Sequence, residues 1–213
     1  MKITPISESA VVCSLSPPAS LEQQRKLWAF AELLQSHDDI VEVIVGMNNL
    51  TVFSHFMTDF TPLIQRLEQH WQNLSVDRFH GRHIEIPVIY GGEYGQDLYD
   101  VAAFHHTTPK HIVKTHSAPV YTVYMIGFQP GFPYLGGLPE TLHTPRRATP
   151  RTEVPAGSVG IGGAQTGIYP FSSPGGWQLI GHTKQPLFDK NHSQPTLLQA
   201  GDTVKFVVES MEI

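Results

Sequence analysis

Three arginines fall within six residues in Pro145-Arg146-Arg147-Ala148-Thr149-Pro150-Arg151. A guanidinium presents a planar fork of donors to a carboxylate or phosphate, so this run is a candidate anion clamp. Its competing reading is a solvated loop with one arginine paired to Glu153. Upstream, Gly127-Phe128-Gln129-Pro130-Gly131-Phe132-Pro133-Tyr134-Leu135-Gly136-Gly137-Leu138-Pro139-Glu140 intersperses aromatics with glycine and proline. Proline fixes dihedrals and glycine admits close backbone approach, which makes a stiff loop. Phe128, Phe132 and Tyr134 can wall a small pocket, with backbone N–H groups at glycines such as Gly131 as donors. A planar amide or small carboxylate suits it. A packed Ω-loop with its aromatics in a satellite core is an equally good reading. Further on, Gln165, Thr166, Tyr169, Ser172 and Ser173 add neutral polar groups, and Gly176-Trp177 adds another aromatic.

Other chemistries lack a part. No G-x-x-x-x-G-K-[ST] phosphate loop occurs, and Gly157-Ser158-Val159-Gly160 misses the spacing of a nucleophile elbow. The histidines include His80 and His83, His105-His106, and His111 with His116. None matches H-E-x-x-H, so no metal site is expected. Cys13 is the single cysteine and has no disulfide or C-x-x-C partner, which suits an intracellular chain. With 14 Lys and Arg against 19 Asp and Glu, the net charge is -5, and nucleic acid is not an expected partner. The N-terminal MKITPISESAVVCSLSPP lacks the apolar core of a secretory signal, and no run of about 18 apolar residues is present. No membrane association and a cytoplasmic location are expected.

The elements that must position these groups fall into two parts. Ala10 to Leu15 suits a strand, and Ser20 with Gln23 has capping-box spacing ahead of a helix striped by Leu27, Phe30, Ala31 and Leu34. Ile40 to Val45 and Leu50 to Phe53 read as a hairpin around Met47-Asn48-Asn49. Thr61-Pro62 reads as N-cap and N1 of a second helix with Phe60, Ile64, Leu67 and Trp71 on one face. Ile84, Ile86 and Val88 alternate as a further strand. This β-α-β-β-α-β order predicts a ferredoxin-like domain over residues 1–85. Over 86–213, a short helix from about Asp97 and another after Thr108-Pro109 precede strands at Val120–Ile126, Ser158–Ile161, Gln178–Ile180 and Val204–Val208. Residues 127–181 hold 12 of the 18 glycines and 8 of the 17 prolines. Short strands with such turns favour a closed or nearly closed β architecture, and the class is α+β.

Several long motifs go further than any of these patterns. VYTVYMIGFQPGFPYLGGLPE, PRRATPRTEVPAGSVGIGGAQTGIYPFSSPGGWQLIGHT, LFD, AGDTVKF and the upstream IPVIYGGEYGQDLYDVA together resemble the family of 5-oxoprolinase B subunits, also described as allophanate hydrolase subunit 1-like. The resemblance runs from about Ile86 to Phe206. Two departures stand out: Gln96 replaces a usual proline, and His182-Thr183-Lys184 replaces Arg-Thr-Pro. The resemblance implies a cyclophilin-like β-barrel as the C-terminal domain, and partners that are the C and A subunits of the same 5-oxoprolinase. It further implies a complex that opens the lactam of 5-oxo-L-proline to L-glutamate with ATP hydrolysis. Relatives include an inhibitor of a sporulation histidine kinase and the carboxyltransferase region of biotin-dependent urea carboxylases, so fold alone does not settle function.

Lactam chemistry gives the candidate residues roles. A resonance-stabilised amide needs its carbonyl oxygen activated, which phosphorylation by ATP would do. The site then needs a carboxylate clamp and donors for the developing oxyanion. Arg151 with Arg147 is assigned to the anion. Gly131, Gln165 and Gly176 are assigned to the lactam carbonyl, Phe128, Phe132, Tyr134 and Trp177 to the surrounding wall, and Tyr169 to substrate binding as a neutral polar group. His116, just before the Val120–Ile126 strand, is the candidate base; an ordinary helix-end histidine is its alternative. No nucleotide motif is visible, so ATP with Mg²⁺ is expected to be shared with a partner chain.

Overall fold

The computed structural model describes residues 1–76 and 81–213; His80, one of the histidines above, lies outside the described residues. The chain divides into two units, Met1–His80 and Gly81–Ile213. Among the described residues no helix is long and apolar enough to cross a membrane.

The first unit runs β1 (Lys2–Ser7), β2 (Ala10–Ser14), α1 (Leu21–Gln35), β3 (Ile40–Val45), β4 (Asn49–Ser54), α2 (Thr61–Asn73). At the start of α1 the Ser20 hydroxyl accepts from the Gln23 N–H and the Gln23 side chain accepts from the Ser20 N–H, each at 3.2 Å. Leu27, Phe30 and Leu34 then pack with Val11, Leu50, Val52, Leu63 and Leu67 in one core. Cys13 lies in the same core, where burial pushes its thiol up to about 12, so it is an inert apolar filler. The second helix begins one residue earlier than its sequence suggests. Thr61 is already helical, and Asp59 accepts its N–H at 2.9 Å.

The sheet order is β1-β2-β4-β3, antiparallel throughout. Strands β2 and β3 flank β4 and are therefore parallel, joined by α1, which is the split βαβ arrangement. The expected ferredoxin-like domain is incomplete in one respect. Its last strand, Ile84–Val88, does not join this sheet, and β1 holds the edge beside β2 instead. Alternation reveals a strand with one buried face but not the sheet it enters.

That strand is β5 (His83–Gly91), part of the second unit, so a boundary between residues 85 and 86 would cut through it. There follow α3 (Leu98–Phe104), α4 (Pro109–Ser117), β6 (Tyr121–Ile126), β7 (Pro133–Gly136) and a 3₁₀ turn (Glu140–Leu142). Then come β8 (Arg151–Val154), β9 (Ser158–Gly162), β10 (Gln165–Ile168), β11 (Ser173–Gly175), β12 (Gln178–His182) and β13 (Thr203–Glu212). Seven strands close a barrel in the order β10-β7-β6-β13-β5-β12-β9, while β8 and β11 form a separate ribbon. The closed barrel fits the cyclophilin-like expectation. β5 and β13 run parallel, with Val204 opposite Ile84 and Phe206 opposite Ile86. Ile86, Val88, Tyr121, Val123, Leu135, Val159, Ile161 and Ile180 fill the interior, and Leu98, Val101, Ile112 and Val113 of the two helices extend the same cluster.

Two glycines of this half show why the backbone needs them. Gly163 turns the β9–β10 hairpin at φ +67, and Gly167 lets β10 approach β7 and the indole of Trp177. A Cβ on Gly167 would sit 2.6 Å from the Pro133 carbonyl oxygen and 3.1 Å from the Phe132 and Trp177 rings. Gly167→Ala is therefore expected to destabilise the barrel by about 1–3 kcal/mol, read as a lower denaturant midpoint. An unchanged midpoint would mean that the neighbouring backbone yields freely.

Candidate active site on the barrel

The candidate arginines meet, but on a carboxylate of their own chain. Arg147 Nη1 donates to Asp97 Oδ1 at 2.7 Å; Arg151 donates to both oxygens, Nη1 to Oδ2 at 2.9 Å and Nη2 to Oδ1 at 2.7 Å. Asp97 is 1% exposed, and the N–H of Leu179 donates to its Oδ2 at 2.6 Å. It stands at the N-cap position of α3 yet makes no side-chain cap bond, because its oxygens are committed elsewhere. The loop carrying the arginines is fastened as well: Arg147 N–H donates to the Gly176 carbonyl at 2.7 Å, and the Gln178 side chain donates to the Pro145 carbonyl at 3.0 Å. Arg147 and Arg151 thus act as a staple rather than an open clamp. Asp97 is the residue that sequence reasoning missed in this role. The available signal was a run of arginines in a stretch whose only acids are Glu140 and Glu153.

Most of the expected aromatic wall is packed inside. Phe132, Tyr169 and Trp177 form a buried cluster with Val154 and Leu179, and half-buried Tyr134 packs against it. The rings meet edge to face, with Phe132 5.2 Å from Tyr169 and 5.4 Å from Trp177 between centroids. This is the satellite-core reading of the stretch. Burial raises the Tyr134 and Tyr169 phenols, while the positive charge of Arg146 opposes that rise at both. Phe128 differs from the rest: it is 60% exposed, adopts φ +64, and sets its ring edge-on to Phe132 at 5.4 Å. A bulky residue in the left-handed region is strained and must be held there by its surroundings.

Gly176 belongs to this group through its bond to Arg147. Gln165 stands opposite Gly162 in the β9–β10 hairpin, and Gly162 is the position on which the Trp177 indole closes. Gly131 is buried at φ +84 in the β6–β7 loop, against Leu187 and Phe188.

His116 lies elsewhere, fully buried in the barrel core. Thr166 spends its one hydroxyl hydrogen on the Gly160 carbonyl at 2.9 Å, so it accepts from His116 Nε2–H at 2.9 Å. That leaves Nδ1 to accept from the Tyr90 hydroxyl at 2.8 Å. The ring also stacks on Phe206, with centroids 4.7 Å apart. Both nitrogens are engaged and no face meets solvent, so the base role assigned to His116 is corrected to that of a neutral core histidine. Burial lowers its pKa to about 3. The unfolded chain takes up this proton near pH 6.5 and the folded chain does not, so the stability that His116 confers is present above that pH and is lost toward pH 3. The stability advantage of the native protein over His116→Gln is expected to shrink by about 2 kcal/mol between pH 7 and 5 in chemical denaturation. A difference independent of pH would contradict the neutral assignment.

Residues 1–198 match the model of the carboxyltransferase domain, subdomain C and D. The chain is 78% identical to the 5-oxoprolinase B subunit of Haemophilus influenzae over 213 residues, covering 100% of both chains. It is 52% identical to the protein of that name in Escherichia coli O157:H7 over 203 residues, covering 95% of this chain and 93% of the relative. Among solved structures, TTHA0988 superposes with a TM-score of 0.78 at 34% identity, covering 96% of this chain but 40% of that one. PH0987 from Pyrococcus horikoshii superposes with a TM-score of 0.60 at 36% identity over 98% of each chain. On these likenesses, with the barrel and its arginine-bearing loop in place, the chain belongs to the family of 5-oxoprolinase B subunits.

Proposed function

We propose that the chain is one component of a cytoplasmic ATP-dependent 5-oxoprolinase, which opens 5-oxo-L-proline to L-glutamate in a site completed by homologues of the C and A subunits. The observation that carries this reading is the 78% identity, end to end, to a protein named for that role. The geometry supports a shared site. Arg147 and Arg151 are committed to Asp97, and Phe132, Tyr169 and Trp177 are packed together, so the rim offers one ordered wall rather than an enclosed pocket.

The nucleotide fits this chain poorly. Among the described residues no three His, Cys, Asp or Glu side chains gather where they could hold a metal ion, and the sequence has no phosphate loop. ATP would supply the phosphoryl group that turns the lactam oxygen into a leaving group. Its cradle, with Mg²⁺, is assigned to the companion subunits or to a surface shared with them. What this chain supplies is a rigid, electropositive rim against which a flat amide can be oriented.

The purified chain alone is expected to release no phosphate from ATP in the presence of 5-oxoproline. Adding the companion subunits should give phosphate and glutamate in equal amounts. Turnover by the single chain would overturn the shared site, and no turnover by the full set would overturn the assignment.

A further inference from the structure

The staple around Asp97 leaves one arginine of the run over. Arg146 is exposed, and among the described residues no carboxylate pairs with it. Its guanidinium lies over the Trp177 ring, 5.9 Å from the centroid. A guanidinium stacked on an aromatic face keeps its in-plane N–H donors free to engage an oxyanion edge-on. Its backbone is not free to wander. Pro145 on one side accepts from the Gln178 side chain at 3.0 Å, and Arg147 on the other is tied to Gly176 and Asp97. Two guanidiniums share the single Asp97 carboxylate, so the staple itself keeps an excess positive charge beside Arg146. Half-buried Tyr134 lies by the same indole, with centroids 6.0 Å apart, and exposed Phe128 extends the aromatic surface through Phe132 and Tyr169.

We propose that Arg146 takes the substrate's carboxylate, with the flat amide ring laid against half-buried Tyr134 beside the Trp177 indole. The inference rests on the 5-oxoprolinase reading and deepens it by naming the residue that reads the acid group. The chemistry favours a small carboxylate over a nucleotide. One fork on an apolar floor matches one carboxylate and one planar ring, whereas a triphosphate calls for several cations and metal ligands in the same place. Arg151 does not share this role because Asp97 fills its fork, and Arg147, half-buried, gives its Nη1 to the same carboxylate. They are positioning residues for Arg146.

The test uses the assembled complex with Arg146→Gln and Arg146→Lys, both at an exposed position, and compares 5-oxoproline with 2-pyrrolidinone, the same ring without the acid. Arg146→Gln is expected to raise KM for 5-oxoproline roughly ten- to a hundredfold, in line with loss of a charged hydrogen bond. It should leave KM for ATP unchanged and abolish the preference over 2-pyrrolidinone. Arg146→Lys should restore part of the preference. An unchanged KM for 5-oxoproline would overturn the inference and leave the function standing. A rise in KM for ATP alone would move Arg146 to the nucleotide, and loss of co-elution with the companion subunits would move it to an interface; either result overturns the inference. Absence of turnover by the native complex would remove the functional reading and the inference with it.

Discussion

A carboxylate withdrawn from water must be repaid by partners, and Asp97 collects three: two guanidiniums and a backbone amide. These partners come from separate stretches of chain, the loop before β8, the start of β8 itself, and β12. The carboxylate therefore joins the ribbon to the barrel. Leu179, whose N–H it accepts, also belongs to the aromatic cluster, so the polar staple and the satellite core share a residue. Removing the carboxylate would strand two partly buried cations, which is the more costly way to lose an ion pair.

The barrel holds a second buried polar network of opposite character. From the Tyr90 hydroxyl through His116 and Thr166 to the Gly160 carbonyl, each donor meets one acceptor and no net charge is present. Such a chain fixes the seating of α4 against β5, β9 and β10 without asking the core to solvate an ion. The two networks divide the work of the unit. Neutral bonds tie the helix to the barrel interior, and the Asp97 ion pairs tie the ribbon to it.

Much of the architecture was legible because local patterns carry it. The Ser20–Gln23 box, the Leu27–Leu34 stripe and the hairpin about Asn48 depend on residues a few positions apart, and they form as their spacing predicts. β1 was not legible, since Lys2–Ser7 is largely exposed and shows no alternation. Ile84–Val88 was legible as a strand but not in its partner, β13, which lies more than a hundred residues away in the chain. The site divides in the same way. The arginine run and the aromatic loop stand out by composition, but whether an arginine faces a ligand or a buried acid depends on Asp97, 50 residues before Arg147. Likewise His116 carries no mark in the sequence of the burial that removes it from chemistry. Arg146 has no assigned role in the sequence reading, which gives the anion to Arg147 and Arg151, and the difference lies in the carboxylate those two already hold.

The rim keeps its shape only if the Asp97 staple is formed and strong, and a double-mutant cycle of Asp97→Asn with Arg151→Gln, read by chemical denaturation, measures that directly. A coupling of about 2 kcal/mol or more is the predicted result. Effects that add to within about 0.5 kcal/mol would contradict it, because the carboxylate and the guanidinium would then not be what holds the rim together.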